Sequence, residues 1–198
     1  NVATREGYED LCDWGADSVR CNIGGGSICS TRIQTGHGVP GFDTILQCSK
    51  TTRNVKIIAD GGIKNSGDAV KALAAGADFI MAGSILAGTT QTPGEIVYLG
   101  TPGHGKGFKA YRGMASKEAQ IDWRGRTASV EGMSSMVPVK GDVAVVLEDL
   151  ERGIRSGFSY TGARNMKELH AKAKFIRQTA AGQTESGTHI LGAGGVRQ

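Results

Sequence analysis

The chain has 198 residues, 39% of them apolar, enough to bury one sizeable core. Its net charge is only +4 and no basic run is interleaved with aromatics, which speaks against a nucleic-acid surface and suits a small anionic substrate. No apolar stretch reaches the ~18 residues of a spanning helix, no signal peptide is present, and the four cysteines lack zinc or redox spacing, so a reducing, cytoplasmic setting without a membrane partner is expected.

The chain opens at Asn1 almost inside a helical pattern and is read as starting mid-protein. A helix over 6–14 and the turn Gly15-Ala16-Asp17 lead to a predicted strand over 18–23. Further predicted strands follow at 55–59, closed by Asp60-Gly61-Gly62, and at 79–82, closed by Gly83-Ser84, with helices at 42–49 and 67–75 between them. Each strand is a short, nearly continuous apolar run ending in Gly, Asp or Ser before a helix, the pattern of parallel strands buried on both faces. Polar residues at the carboxyl ends of successive parallel strands are what a (β/α)₈ TIM barrel requires. Three units cannot close a barrel that takes roughly 250 residues. The expectation is that residues 1–198 are the C-terminal half of one barrel domain whose earlier strands lie upstream.

Beyond the third unit, a Gly/Thr/Pro-rich excursion over 88–107 predicts a hairpin near 96–98 and 107–111. The polar stretch 115–132 reads as a mobile flap. Amphipathic helices follow at 141–157, with apolar Val143, Val146, Leu147, Leu150 and Ile154, and at 165–174. The tail from Ala180 reads as extended. His37, His104, His170 and His189 have no metal spacing and are assigned surface or packing roles, and Trp14 and Trp123 are expected to pack.

Cys29 draws the first functional attention. It lies in Gly24-Gly25-Gly26-Ser27-Ile28-Cys29-Ser30-Thr31-Arg32, directly after the first strand. Successive glycines permit positive φ and close approach to a ligand. A thiol on such a loop, with a hydroxyl two residues on and a guanidinium beside it, has the makings of an activated nucleophile. At the next strand ends, Asp60 can accept both hydroxyls of a ribose, and Gly83-Ser84 offers N–H groups and a hydroxyl to a phosphate. The three ends together suggest a nucleoside monophosphate site.

These segments, with Ile58-Ala59-Asp60-Gly61-Gly62-Ile63, Met81-Ala82-Gly83-Ser84-Ile85-Leu86-Ala87-Gly88 and Tyr111-Arg112-Gly113-Met114, resemble the IMP dehydrogenase/GMP reductase family over nearly the whole chain. The resemblance implies that Cys29 attacks C2 of the purine. It assigns the phosphate to Ser27, Ser84, Tyr111 and the backbone of Gly62 and Gly83, the ribose to Asp60, and the base to the backbone at Gly113 and Met114. It further implies a monovalent cation, K⁺, on the carbonyls of Gly24, Gly26 and Cys29, completed by Glu185 from a neighbouring subunit. Family members are homotetramers, and their nicotinamide-binding residues lie largely upstream of this chain. Two positions depart from the family: Asn22 stands where Gly is usual and Gly25 where Pro is frequent.

Both reactions of the family pass through a thioimidate on Cys29 with hydride moving between C2 and a nicotinamide. Dehydrogenases hydrolyse that intermediate with an Arg-Tyr pair on a longer flap. Here the flap arginines, Arg124 and Arg126, are followed by Gly and Thr, and the segment runs into Val130-Glu131-Gly132, similar to GMP reductases. The resemblance then gives Thr31 and Glu131 the task of relaying a proton to departing ammonia, with NADPH as the reductant and GMP and IMP as the nucleotides. Against this, Thr92-Pro93-Gly94-Glu95, residues 72–77 and the tail read more like a dehydrogenase using NAD. A third alternative is a non-catalytic purine-sensing subunit, which would need the binding groups but not the nucleophile.

Overall fold

A computed structural model describes residues 1–101, 105–128 and 131–187. From the N-terminus, α1 (Arg5–Asp13) leads into β1 (Ser18–Cys21). The short α2 (Thr31–Thr35) and α3 (Gly41–Cys48) lead to β2 (Lys56–Asp60), and α4 (Ser66–Ala74) to β3 (Phe79–Met81). The three strands form a parallel sheet in the order β1-β2-β3, with Val19 opposite Ile57 and Ile58 opposite Phe79. Caps set the helix starts: the Thr4 hydroxyl accepts the Gly7 N–H and the Asn65 side chain accepts the Asp68 N–H. Val2 adds one parallel rung outside β1, its N–H donating to Arg20 O and its carbonyl accepting from Asn22.

The core lies between this sheet and its helices. Tyr8, Val19, Cys21, Ile45, Ile57, Ala59 and Ala69 are buried together, and the Tyr8 hydroxyl donates to Val55 O at 2.5 Å. Here the structure corrects the expectation of strands buried on both faces. Burial alternates along β1 and β2, and Ser18, Arg20, Lys56, Phe79 and Met81 face outward, Phe79 being 57% exposed. The reason is topological: α1, α3 and α4 cover one face, and no described element covers the other.

The hairpin forms as expected and gains a third strand that the sequence reading missed. In the second sheet, β4 (Val97–Leu99), β5 (Lys106–Arg112) and β6 (Ser134–Pro138) are antiparallel in the order β4-β5-β6, with Tyr111 opposite Ser135. Between β5 and β6 the segment read as a flap loop holds a helix, α5 (Lys117–Arg124). Ser116 caps its start by accepting the Ala119 N–H, Gly125 closes it in the left-handed conformation, and Ala119 and Gln120 are buried beneath it. Caps, which a periodicity count overlooks, make these eight residues, five of them polar, helical.

Two helices then return to the first sheet. α6 (Val143–Thr161) packs on α4 at close range, because a side chain at Gly153 would strike Ser66 and one at Gly157 would strike Val70. α7 (Met166–Lys172) buries Leu169 against Leu73 and Ala163, and His170 Nε2 lies 2.9 Å from Leu73 O, a packing role. Leu147 points away from the buried face of α6 and is 48% exposed. The tail from Ala180 is not extended at first: α8 (Ala180–Glu185) forms, capped by the Thr179 hydroxyl on the Gly182 N–H. Neither Trp packs. Trp14 is 79% exposed, and Trp123 is exposed beneath the Arg124 guanidinium, 4.2 Å from its ring centre. His37 is exposed, and His104 and His189 lie outside the described residues.

Candidate active site

The loop after β1 is set by its backbone. Asn22 leaves the strand at φ +123, the one non-Gly residue with positive φ among those described, a conformation that costs of order 1–3 kcal/mol. Gly24 follows at φ +73. The Cys29 N–H donates to Gly26 O at 3.1 Å, closing a turn, and the Arg32 guanidinium reaches back to the Ile23 and Val39 carbonyls. Of the three carbonyls that the resemblance gives to a cation, that of Gly26 is therefore already in a turn, with one lone pair left for a second partner.

The second sheet docks onto this loop through its backbone. Ser30 N donates to Glu131 O at 2.8 Å, Met133 N to Ile28 O at 3.0 Å, and Cys29 and Gly132 form an antiparallel bridge. This docking delivers the Glu131 side chain. Thr31 Oγ1 donates to Glu131 Oε2 at 2.7 Å, and Cys29 Sγ lies 3.1 Å from Thr31 Oγ1. A hydroxyl has one proton, and here the carboxylate takes it, so the thiol must be the donor in the second bond. The result is a continuous S–H···O–H···⁻O path from thiol to carboxylate.

The other cysteines are placed differently. Cys21 and Cys48 are fully buried, and the Cys21 thiol is pushed up by its hydrogen bond with Cys48 and then by burial. Such thiols pack; Cys29 lines an open cleft.

That cleft, of about 370 Å³, runs from Cys29 and Glu131 past Met114 and Asp60 to Ser84, a volume in the range of small-molecule sites. At its far end Ser27, Gly83 and Tyr111 converge. The Tyr111 hydroxyl is 3.4 Å from Ser27 Oγ, and it sits where a Cβ on residue 83 would come within 2.6 Å of it. Gly83 and Ser84 open a helical turn closed onto the Gly83 carbonyl by Leu86 and Ala87. Lys140 fastens that turn by donating to Ser84 O and Ile85 O, and burial holds its ammonium below the usual lysine range. Gly61 and Gly62 both have positive φ, and the strand end they form packs against the loop backbone at Gly25 and Gly26. Gly113 and Met114 border the cleft beside Ile28.

Asp60 has partners that the sequence reading did not name. Its Oδ2 accepts from Arg20 Nε at 3.0 Å and Nη2 at 2.8 Å, and from Asn1 Nδ2 at 2.6 Å. The clue was available: Arg20 is a charge within Ser18-Val19-Arg20-Cys21, on the strand face opposite the core. Glu185 ends α8, exposed. Among the described residues there is no cluster of acidic, His or Cys side chains able to hold a metal, and no helix long and apolar enough to cross a membrane.

Together these features define a protein of the α/β class that carries a thiol in a hydrogen-bonded chain with a hydroxyl and a carboxylate at its strand ends, beside a cleft of about 370 Å³. The chain belongs to the IMP dehydrogenase / GMP reductase family, whose domain model matches residues 1–189. It is 48% identical over 200 residues to an inosine-5'-monophosphate dehydrogenase of Aquifex aeolicus and 41% identical over 203 residues to a GMP reductase of Leishmania major. Each match covers 96% of this chain and 40% of the relative. A crystal structure of the C318A GMP reductase of Trypanosoma brucei with guanosine 5'-monophosphate superposes with a TM-score of 0.89 at 41% identity, covering 96% of this chain and 40% of that one. The chain thus spans about two fifths of the length of these relatives.

Proposed function

We propose that the protein containing this chain is a GMP reductase, converting GMP to IMP and ammonia with NADPH. The observation that carries this reading is the path from Cys29 through Thr31 to Glu131. In the proposed reaction Glu131 takes the thiol proton through Thr31, and the thiolate sulfur bonds to C2 of the purine. The C2–N bond to the exocyclic amine then breaks as Glu131 returns the proton, releasing ammonia and leaving a thioimidate on Cys29. A bound nicotinamide supplies a hydride to C2. The C2–S bond breaks, releasing IMP and the Cys29 thiolate, which takes up a proton from solvent to regenerate the thiol.

Around this step Asp60, oriented by Arg20 and Asn1, is assigned the ribose hydroxyls. Ser27, Ser84, Tyr111 and the backbone at Gly62 and Gly83 are assigned the phosphate, and Gly113 and Met114 the base edge. Apolar Ile28, Met81 and Met114 line the same cleft, a wall suited to planar rings. K⁺ on the loop carbonyls, with Glu185 from a neighbouring subunit, belongs to the same reading.

Residues 1–198 would be the C-terminal half of a (β/α)₈ barrel, with the flap at 115–132. The uncovered sheet face at Arg20, Phe79 and Met81 supports an upstream half as its partner. The assembly would be a cytoplasmic homotetramer, in keeping with four free thiols.

The carboxylate on Thr31, and a flap without an Arg-Tyr pair whose Arg124 lies over the Trp123 ring, support reduction over oxidation. The relatives include dehydrogenases, however, so IMP oxidation by NAD is the competing reading. Anaerobic incubation of the full-length protein with GMP and NADPH, then with IMP and NAD, decides between them at the nicotinamide absorbance band. NADPH consumption with ammonia release is expected. Multiple-turnover XMP formation would overturn the assignment, and nucleotide binding with neither turnover would leave a purine sensor.

A further inference from the structure

Asn22, at the end of β1, and Gly25, in the loop that carries Cys29, meet in space. Asn22 is only 4% exposed, and every polar group it has is engaged. Its N–H donates to Val2 O and its carbonyl accepts from Asn1. Its side-chain Nδ2 donates to the Asp60 carbonyl at 2.9 Å, and its Oδ1 accepts from Arg32 Nη2 at 3.3 Å. The amide thus joins the end of β1 to the end of β2 and to α2. It also fills the space beside Gly25: a Cβ there would lie 1.9 Å from Nδ2 and 2.7 Å from Cγ, and one on Gly41 would lie 2.7 Å from Nδ2. Gly25 does not itself have positive φ, so its need for glycine is a matter of room and not of backbone conformation.

We propose that Asn22 is a positioning residue for the Cys29 loop, and that Asn22 and Gly25 are a matched pair in which the amide bounds the loop on one side and holds the Asp60 backbone on the other. A strained φ at a buried, fully bonded residue at the base of the loop that carries Cys29 is what such a task predicts. The inference rests on the reductase reading for its kinetic test but not for its chemical one, because the reactivity of Cys29 can be measured without any nucleotide.

The test is a double-mutant cycle, N22G, G25A and N22G/G25A, in the full-length protein. Each variant is read by the rate of Cys29 alkylation with iodoacetamide, located by peptide mass, by kcat and KM with GMP and NADPH, and by Tm. In N22G the relieved φ offsets the lost hydrogen bonds, so Tm stays within a few degrees while alkylation and kcat fall about tenfold. G25A in the wild-type background forces the loop off the amide and lowers both rates on the order of 10²-fold, the scale of a 1 Å misplacement. In the N22G background the same substitution has room and costs less than threefold.

Wild-type rates in N22G, or an equal G25A penalty in both backgrounds, would overturn the proposal. Should G25A fail to fold alone, recovery of a folded protein in N22G/G25A supports the pairing, and failure of both overturns it. If the wild type does not turn over GMP, the functional reading falls while the alkylation cycle still judges the pair.

Discussion

The two sheets of this protein hold their share of the site by different means. The parallel sheet is backed by a core in which Tyr8, Val19, Ile57 and Ala69 are buried, so the ends of β1, β2 and β3 are fixed by packing. The antiparallel sheet and α5 bury much less: Val97, Tyr98, Leu99, Ile121, Trp123 and Met136 are all exposed, and its buried residues include Lys109, Ser116 and Gln120. It is positioned instead by rungs of backbone hydrogen bonds to the Cys29 loop. Cys29 therefore sits on a packed scaffold, and Glu131 on a strap that is stitched across it. One region is suited to precision, the other to opening and closing over a ligand.

Removing the proposed nucleophile breaks the comparison most completely. Cys29→Ser is expected to abolish turnover, beyond about 10⁴-fold, while GMP affinity by calorimetry stays within a few fold, because the phosphate and ribose groups are untouched. Substantial residual activity would take Cys29 out of the mechanism. Next is Glu131→Gln on the strap, which should slow deamination by about 10²–10⁴-fold. Pre-steady-state hydride transfer from the preformed intermediate should be far less affected, since that step moves no proton to nitrogen. Equal losses in both steps would mean that Glu131 supports the fold of the strap and not the proton path.

A pair of truncations sharpens the contrast in stability. Ile57→Ala, in the parallel core at 4% exposure, should cost about 2–5 kcal/mol by denaturant unfolding. Ile121→Ala, 53% exposed on α5, should stay within roughly 0.5 kcal/mol. Equal penalties would erase the distinction between the two regions. The smallest effect concerns Glu118 in the first turn of α5. Its own backbone N–H, then Ser134, hold its carboxyl below the usual range. A lowered folded value means that its contribution is complete above the unfolded pKa of about 4.3 and is lost as pH falls through the lower folded value. Hydrogen exchange at the α5 amides should separate wild type from Glu118→Gln at neutral pH and converge once pH has fallen below that lower folded value. A difference that persists in acid would assign the effect to something other than the charge.

Much of the parallel region was legible because its signals are local. Short apolar runs ended by Asp60-Gly61-Gly62 and Gly83-Ser84 mark strands and their turns to within a residue or two of β2 and β3. The antiparallel region was legible only as the hairpin. β6 (Ser134–Pro138) has no alternating pattern of its own and exists because β5 offers it an edge, and α5 depends on its caps. Arg20 carried no local signal of its place in the cleft, because its partner Asp60 lies on the neighbouring strand and only register brings the two together. The matching of Asn22 to Gly25 was visible only as two separate departures, since side-chain volume is a three-dimensional quantity.

The hydrogen bond from Thr31 to Glu131 joins residues 100 apart in the sequence. Contacts of such separation form late, after the loop between them has been closed at an entropic cost. During synthesis the loop bearing Cys29 can fold onto the parallel sheet well before Glu131 has left the ribosome, and for that interval the thiol lacks the carboxylate end of its hydrogen-bonded chain. In the proposed mechanism, chemical competence therefore reports completion of the chain through residue 131. In a refolding time course, Cys29 alkylation at neutral pH should accelerate in step with burial of Gln120, and after the far-ultraviolet signal of the helices on the first sheet has returned.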